Sequence, residues 1–166
     1  MPSTGGARAA STPAPAASPT RSCGTAELSV APAAHEMKQG LDIERFTVTT
    51  STPAGCTLAG VPNLIPKGPL SAQVPGAAVD LAVSQWPFPT DIGVDTGSAS
   101  KVALLPGKPA SFYLAWFSAS TVVCVQSNGF GFNVPNDTTY GDAKLVTYPV
   151  GSLCDGIFYA SSVFQG

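Results

Sequence analysis

The sequence predicts an all-β protein, an antiparallel β-sandwich of about seven to nine strands with two disulfides. Three observations predict it. Charged residues make up only 11% of the chain, while 17 glycines and 16 prolines punctuate it. Helix-rich soluble proteins carry more charge and fewer turn formers. Short apolar stretches alternate with a period of two, and no window sustains a helical period. Finally, Cys23, Cys56, Cys124 and Cys154 are well separated and form no Cys-x-x-Cys pair. That disfavours zinc-ribbon and thioredoxin-type readings and favours two disulfides made in an oxidising compartment.

The elements follow in order. Residues 1–22, MPSTGGARAASTPAPAASPTRS, hold no Leu, Ile, Val or aromatic residue. Such a segment cannot bury enough apolar surface to offset its ordering entropy. Residues 1–22 are therefore expected to be a disordered linker, and 23–166 the folded domain. A strand is expected over 26–33, with Leu28 and Val30 facing one way. Over 41–50 the alternation runs in two registers, Leu41 and Ile43 first, then Phe46, Val48 and Thr50. The slip at Glu44-Arg45 suggests a β-bulge or a later strand start. Residues 56–65 read as a strand bent by Gly60 and Pro62.

Residues 78–84 alternate through Val79, Leu81 and Val83, and 101–105 through Val102 and Leu104. Residues 111–119 are apolar on both faces, so this strand belongs at the centre of a sheet, with Trp116 in the core against a disulfide. Further strands are expected at 122–126, 130–134, 145–148 and 157–164. Asn128-Gly129 would be a hairpin turn or a loop kink between the first two of these.

Several of these pieces, taken in order, resemble a known family. They are Cys23-Gly-Thr-Ala-Glu-Leu28, Cys56-Thr-Leu-Ala-Gly-Val-Pro62, Val102-Ala-Leu-Leu-Pro-Gly-Lys-Pro-Ala-Ser-Phe112 running into Leu114-Ala-Trp116, then Cys124 and Cys154-Asp-Gly. The set is similar to the actinobacterial exported domain-of-unknown-function family 4232, over residues 23–166. It departs at Val61, where the family usually has Tyr, and at Thr50-Ser51-Thr52, where Asn-x-Gly is usual. The resemblance implies an immunoglobulin-like sandwich, export and frequent attachment to an upstream lipid anchor. It implies no activity, and fold alone supplies none. With it goes an expected pairing of Cys56 with Cys124 and of Cys23 with Cys154, the second tying the first strand to the last.

The chemistry is sparse. Eight Lys and Arg are scattered along the chain, with a formal net charge of −2, so there is no basic footprint for nucleic acid. No apolar run approaches the ~20 residues of a spanning helix, and 1–22 lacks the apolar stretch of a secretory signal. The stretch VDTGSAS, residues 94–100, is spelled like an aspartic-protease half-site. Such a site needs two carboxylates sharing a proton, so this chain would have to dimerise around Asp95. The segment leading into it is interrupted by Asp91 and Gly93, and Asp-Thr-Gly is ordinary turn vocabulary. The lone histidine, His35, has no Gly-x-Ser-x-Gly nucleophile to serve. It reads as a solvated loop residue.

His35-Glu36-Met37 could offer copper a nitrogen and a thioether from one strand face, but copper(I) usually takes three or four such ligands. Trp86-Pro-Phe-Pro89 places two aromatics, Trp86 and Phe88, between prolines. They form a candidate recognition surface, or else they fold back over the core. The expectation is a monomeric, non-catalytic binding or structural module, without cofactor or resident metal. It would be secreted or anchored outside the cell membrane and meet an envelope protein or glycan. A copper-binding protein using His35 and Met37 is the alternative, and a dimeric protease at Asp95 the third reading.

Overall fold

The computed structural model describes Gly5 and residues 18–69, 78–97, 101–137 and 143–166. Most of the expected linker, and residues 98–100 of VDTGSAS, lie outside the described residues. Twelve strands follow in chain order: β1 Leu28–Lys38, β2 Leu41–Thr50, β3 Cys56–Leu58, β4 Asn63–Pro69, β5 Ala78–Asp80, β6 Ser84–Pro87, β7 Val102–Leu104, β8 Ala110–Phe117, β9 Cys124–Asn133, β10 Lys144–Cys154, β11 Ile157–Ala160 and β12 Phe164–Gln165. The only helical piece among the described residues is a 3-10 turn, Thr25–Glu27.

The protein is the all-β antiparallel sandwich its sequence predicts. One sheet has the order β1-β2-β8-β11-β6, with β12 also on β8; the other has the order β10-β9-β4-β5. A two-stranded sheet, β3-β7, stands beside them. Every pair is antiparallel except β11 with β6. The strand count exceeds the expected seven to nine because short breaks divide three expected strands, the first of them 56–65, which is split at 59–62 into β3 and β4. Residues 81–83 separate β5 from β6 and carry the chain from one sheet to the other. Residues 161–163 separate β11 from β12.

The core lies between the sheets. Phe46 of β2 stacks on Phe112 of β8 at 5.5 Å and meets Phe130 of β9 edge-on at 5.0 Å. Phe112 reaches Phe132 at 5.8 Å. All four rings are almost fully buried, so this aromatic cluster joins the two sheets and carries much of the apolar burial that drives folding. The outer face of the first sheet has its own apolar patch, Leu41, Ile43 and Ala115, and Ile92 plugs it from above. The segment 88–97 thus runs as a strap across that face. Lys38 Nζ and Gln39 Nε2 hold the strap by donating to the carbonyls of Gly93 and Asp91.

The strap explains the two registers of 41–50. There is no bulge at Glu44-Arg45: β2 is continuous and buried on both faces, Leu41 and Ile43 under the strap, Phe46 and Val48 in the sandwich. The irregularity lies in the partner, between Pro32 and Ala34 of β1. Proline lacks the N–H that a regular ladder requires, so it sits at such a bulge on an edge strand. β8 is central as expected, with β2 on one side and β11 and β12 on the other.

Asn128-Gly129 makes no turn. Both residues lie inside β9, which runs through where two strands were expected. Gly129 is needed there because a Cβ at that position would stand 2.2 Å from the Val146 carbonyl oxygen. The β9–β10 register shifts just beyond it, between Thr147 and Gly151.

The disulfides are Cys23–Cys56 and Cys124–Cys154, not the expected Cys56–Cys124 and Cys23–Cys154. The strand layout is the reason. Residues 21–23 run alongside β3, where Cys23 N donates to Thr57 O and Thr57 N to Arg21 O, so Cys23 meets Cys56. Cys124 opens β9 and Cys154 closes β10, directly opposite in the ladder. The two bonds therefore sit at opposite ends of the sandwich. At roughly 3–4 kcal/mol each in the chain-entropy picture, both would contribute substantially to stability. The folded domain also begins slightly before Cys23: Arg21 pairs with Glu27 at 3.0 Å and donates to the Gly55 carbonyl.

Candidate functional site

Strand direction defines two ends. At the near end the chain comes in through 18–23, beside Cys56, the start of β1 and the end of β2. At the far end lie the β1–β2 turn, the end of β8, the Cys124–Cys154 bond and the 155–156 turn, onto whose Gly156 carbonyl Ser84 N donates. Among the described residues, four of the five large apolar side chains most exposed to solvent belong to the far half: Met37 at 62%, Trp86 at 53%, Val122 at 66% and Val123 at 75%. The fifth, Leu145, is on β10 near its start.

The two aromatics singled out in the sequence part company. Trp86 is on β6, the edge strand of the first sheet, opposite Tyr159 of β11. Its neighbour Gln85 points the other way and crosslinks the sheets, Nε2 donating to Pro62 O and Oε1 accepting from Leu64 N. That alternation turns Trp86 outward. Phe88 instead folds back, half-buried, with its ring 5.7 Å from Tyr113 and packed on the strap cluster. Beyond Trp86 the outer face continues through Tyr159, whose ring meets Phe117 edge-on at 6.3 Å. The result is an aromatic row with one fully presented member.

His35 lies in a strand rather than the expected loop, because β1 continues past its bulge to Lys38. His35 and Met37 share the inner face, opposite Glu44 and Asp42 of β2 respectively. His35 Nε2 and Asp42 Oδ1 are 2.9 Å apart. Tyr148 of β10 donates to Glu44 Oε2 at 2.8 Å. Trp116 packs its ring 6.4 Å from His35 and 6.2 Å from Tyr148. Burial, then the hydrogen bond to Glu44 and the charges of Glu44 and Asp42, push the Tyr148 phenol well above its ordinary value of 10.0. The void beside Trp116, lined by Leu114, Phe130 and Val150, holds only about 10 Å³, room for a single water.

Sequence reading did not single out this carboxylate group. The signal was present: Asp42 and Glu44 share the parity of Phe46 and Val48, so two acids stand on a strand face that becomes core four residues on.

Asp95 lies on the strap and is exposed, with Oδ1 accepting from Gly97 N at 2.8 Å. That is the hydrogen bond of an Asx turn, and Gly97 takes the positive φ of 67° that follows it. Among the described residues, Cys23, Glu27 and Cys56 are the one His/Cys/Asp/Glu trio whose ligand atoms converge within 4.8 Å. Both sulfurs are bonded to each other, which leaves no thiolate for a metal. No helix among the described residues is long and apolar enough to cross a membrane. No protein-family model, no curated protein and no solved structure matches the chain.

Proposed function

We propose that the chain is a monomeric, non-catalytic binding module that works outside the cytoplasm, at the cell envelope. Its far end faces a protein or glycan of that envelope. The observation that carries the reading is the exposure of Trp86 on edge strand β6, with Val122 and Val123 also exposed in the half away from residues 18–22. Tryptophan is also enriched at interfaces, since it buries a large apolar area and keeps one hydrogen-bond donor.

Two disulfides favour an oxidising compartment. The resemblance to the exported domain family 4232 fits the same compartment. A tether over 1–22 would hold the near end and leave the far end free.

The test is co-sedimentation of the purified chain with an actinobacterial envelope fraction. Trp86→Ala should lower the retained fraction about tenfold, the loss expected for a buried aromatic anchor. Leu145→Ala, as exposed but on the other sheet, should leave it unchanged. Retention that ignores Trp86, or falls equally with Leu145, would defeat the reading. Protease or glycosidase treatment of the envelope then separates a protein from a glycan partner.

A further inference from the structure

Arg45 stands on the outer face of β2, two residues along from Ile43 and the patch that Ile92 covers. Its register partners are Ala34 of the edge strand β1 and Tyr113 of β8. Ala34 is short, so this row opens into a cleft of about 310 Å³ lined by Ala34, His35, Glu36, Arg45 and Tyr113. That size is at the lower end of small-molecule sites. The His35 imidazole is turned to the other face, against Asp42.

The Arg45 guanidinium has no counter-charge among the described residues. The ion pairs there are Arg21–Glu27, His35–Asp42, Lys38–Glu36 and Lys67–Asp80. Arg45 Nε is buried and donates to nothing. A guanidinium cannot shed its proton, so a covered N–H without an acceptor is a standing penalty that an incoming oxygen relieves. Glu36 lies diagonal to Arg45 across the β1–β2 ladder. The two do not pair; Glu36 has Lys38 Nζ at 3.8 Å instead. Tyr113 adds a fixed hydroxyl. Its ring is held by Phe88 at 5.7 Å and Phe164 at 5.4 Å, and its Oη makes no hydrogen bond with a described residue.

We propose that this cleft binds a small hydroxycarboxylate, a ligand with one carboxylate and neighbouring hydroxyls, of which a hexuronate is the type. The planar fork of Arg45 matches a carboxylate. The carboxylate meets the Nη groups, and a small turn of the side chain brings the covered Nε–H onto its second oxygen. Directly opposite positions on adjacent strands stand about 5 Å apart at Cβ, so Tyr113 Oη donates to the same anion. Charge sets the class. One guanidinium faces a cleft that Glu36 also lines, which favours a monoanion over a phosphate dianion. Glu36, already balanced by Lys38, accepts from ligand hydroxyls rather than from a second ammonium.

The experiment follows the arginine Nε–H signals of the full chain by NMR while sodium D-glucuronate is added. Parallel titrations use D-glucose, sodium acetate, inorganic phosphate and glycine. Arg8, Arg21 and Arg45 are the chain's arginines, so the Arg45 signal is assigned through single lysine variants of the other two. The expected result is saturable movement of Arg45 Nε–H, with glucuronate at least about tenfold tighter than any of the other four. Arg45→Lys keeps the charge, removes the fork and should weaken binding by roughly tenfold or more. Tyr113→Phe keeps the ring contacts and should weaken it severalfold. Glu36→Gln should narrow the gap between glucuronate and acetate.

An Arg45 Nε–H signal that does not move overturns the proposal, a reading on the native chain that stands even if Arg45→Lys fails to fold. Glucuronate binding that Arg45→Lys leaves intact overturns it too. Acetate, phosphate or glycine binding as tightly as glucuronate overturns the ligand class. The proposal is independent of the Trp86 surface: Trp86→Ala should leave glucuronate binding unchanged, and neither failure touches the other.

Discussion

The Tyr148 phenol donates to Glu44 Oε2 at 2.8 Å, joining an edge strand of one sheet to a buried acid of the other. Tyr148 also meets Phe46 edge-on at 5.3 Å, so the same side chain serves a buried acid and the aromatic core. Tyr148→Phe keeps the ring and removes the donor. The expected cost is about 1.5–3 kcal/mol, the range for a hydrogen bond to a charged group. Denaturant unfolding at neutral pH measures it.

The same bond gives an alkaline signature. Below pH 10.0, the ordinary value of a tyrosine, folded and unfolded chains both keep the Tyr148 proton and its contribution is fully present. Above that pH the unfolded chain releases the proton while the folded chain holds it, so stability falls as pH rises. Unfolding midpoints between pH 8 and 11, as a rough working window, should decline more steeply for the native chain than for Tyr148→Phe. Equal slopes would mean that Tyr148 titrates freely.

The two disulfides differ in exposure: Cys124 is exposed, whereas Cys23, Cys56 and Cys154 are buried. Thiol–disulfide exchange requires access to a sulfur. Limited reduction under native conditions, trapped by alkylation and mapped by mass, should therefore label Cys124 and Cys154 before Cys23 and Cys56. Peptides crosslinked as 56–124 or 23–154 would refute the pairing outright.

Gly129→Ala should be among the most damaging single changes. Its Cβ would meet the Val146 carbonyl oxygen at 2.2 Å, and backbone cannot step aside as a flexible side chain can. A loss of roughly 3 kcal/mol or more is expected, in the upper range for point substitutions. Gly40→Ala is the control. It has a positive φ of 79° but open space around it, and should cost only about 1 kcal/mol.

Ile92 is the one strap residue that is fully inserted, at 6% exposure, into the patch of Leu41, Ile43 and Ala115. The hydrogen bonds from Lys38 and Gln39 that also hold the strap are exposed. Ile92→Ala removes burial worth about 2–5 kcal/mol in a core. It should speed amide exchange over 88–97 while the β8 amides stay protected. Uniform loss of protection would show that the strap is integral to the sandwich.

The fold class was legible because alternation and turn residues report local backbone directly. The centrality of β8 was legible because both its faces are apolar. What misled was a strand buried twice. In β2 a second layer, the strap, buries Leu41 and Ile43, and no local pattern distinguishes that from a slipped register. Asn128-Gly129 carries turn vocabulary, yet the glycine answers the Val146 carbonyl of the neighbouring strand β10, not a local turn. The cysteine pairing escaped because four cysteines allow three connectivities, and only the strand layout selects among them. At the candidate surfaces, Trp86 and Phe88 differ by two residues in sequence but by the whole strap in environment. The Asp42–Glu44 pair was hidden because charged residues on a strand ordinarily signal its solvent face.

The far end is the proposed contacting surface. Amide hydrogen exchange of the chain alone and of the chain bound to an envelope fraction tests it most directly. Slowed exchange is expected in peptides covering 35–40, 84–88 and 118–124, with no change over 105–109 at the near end. Protection confined to 105–109 and the segment around Arg21, with the far end unchanged, would contradict it.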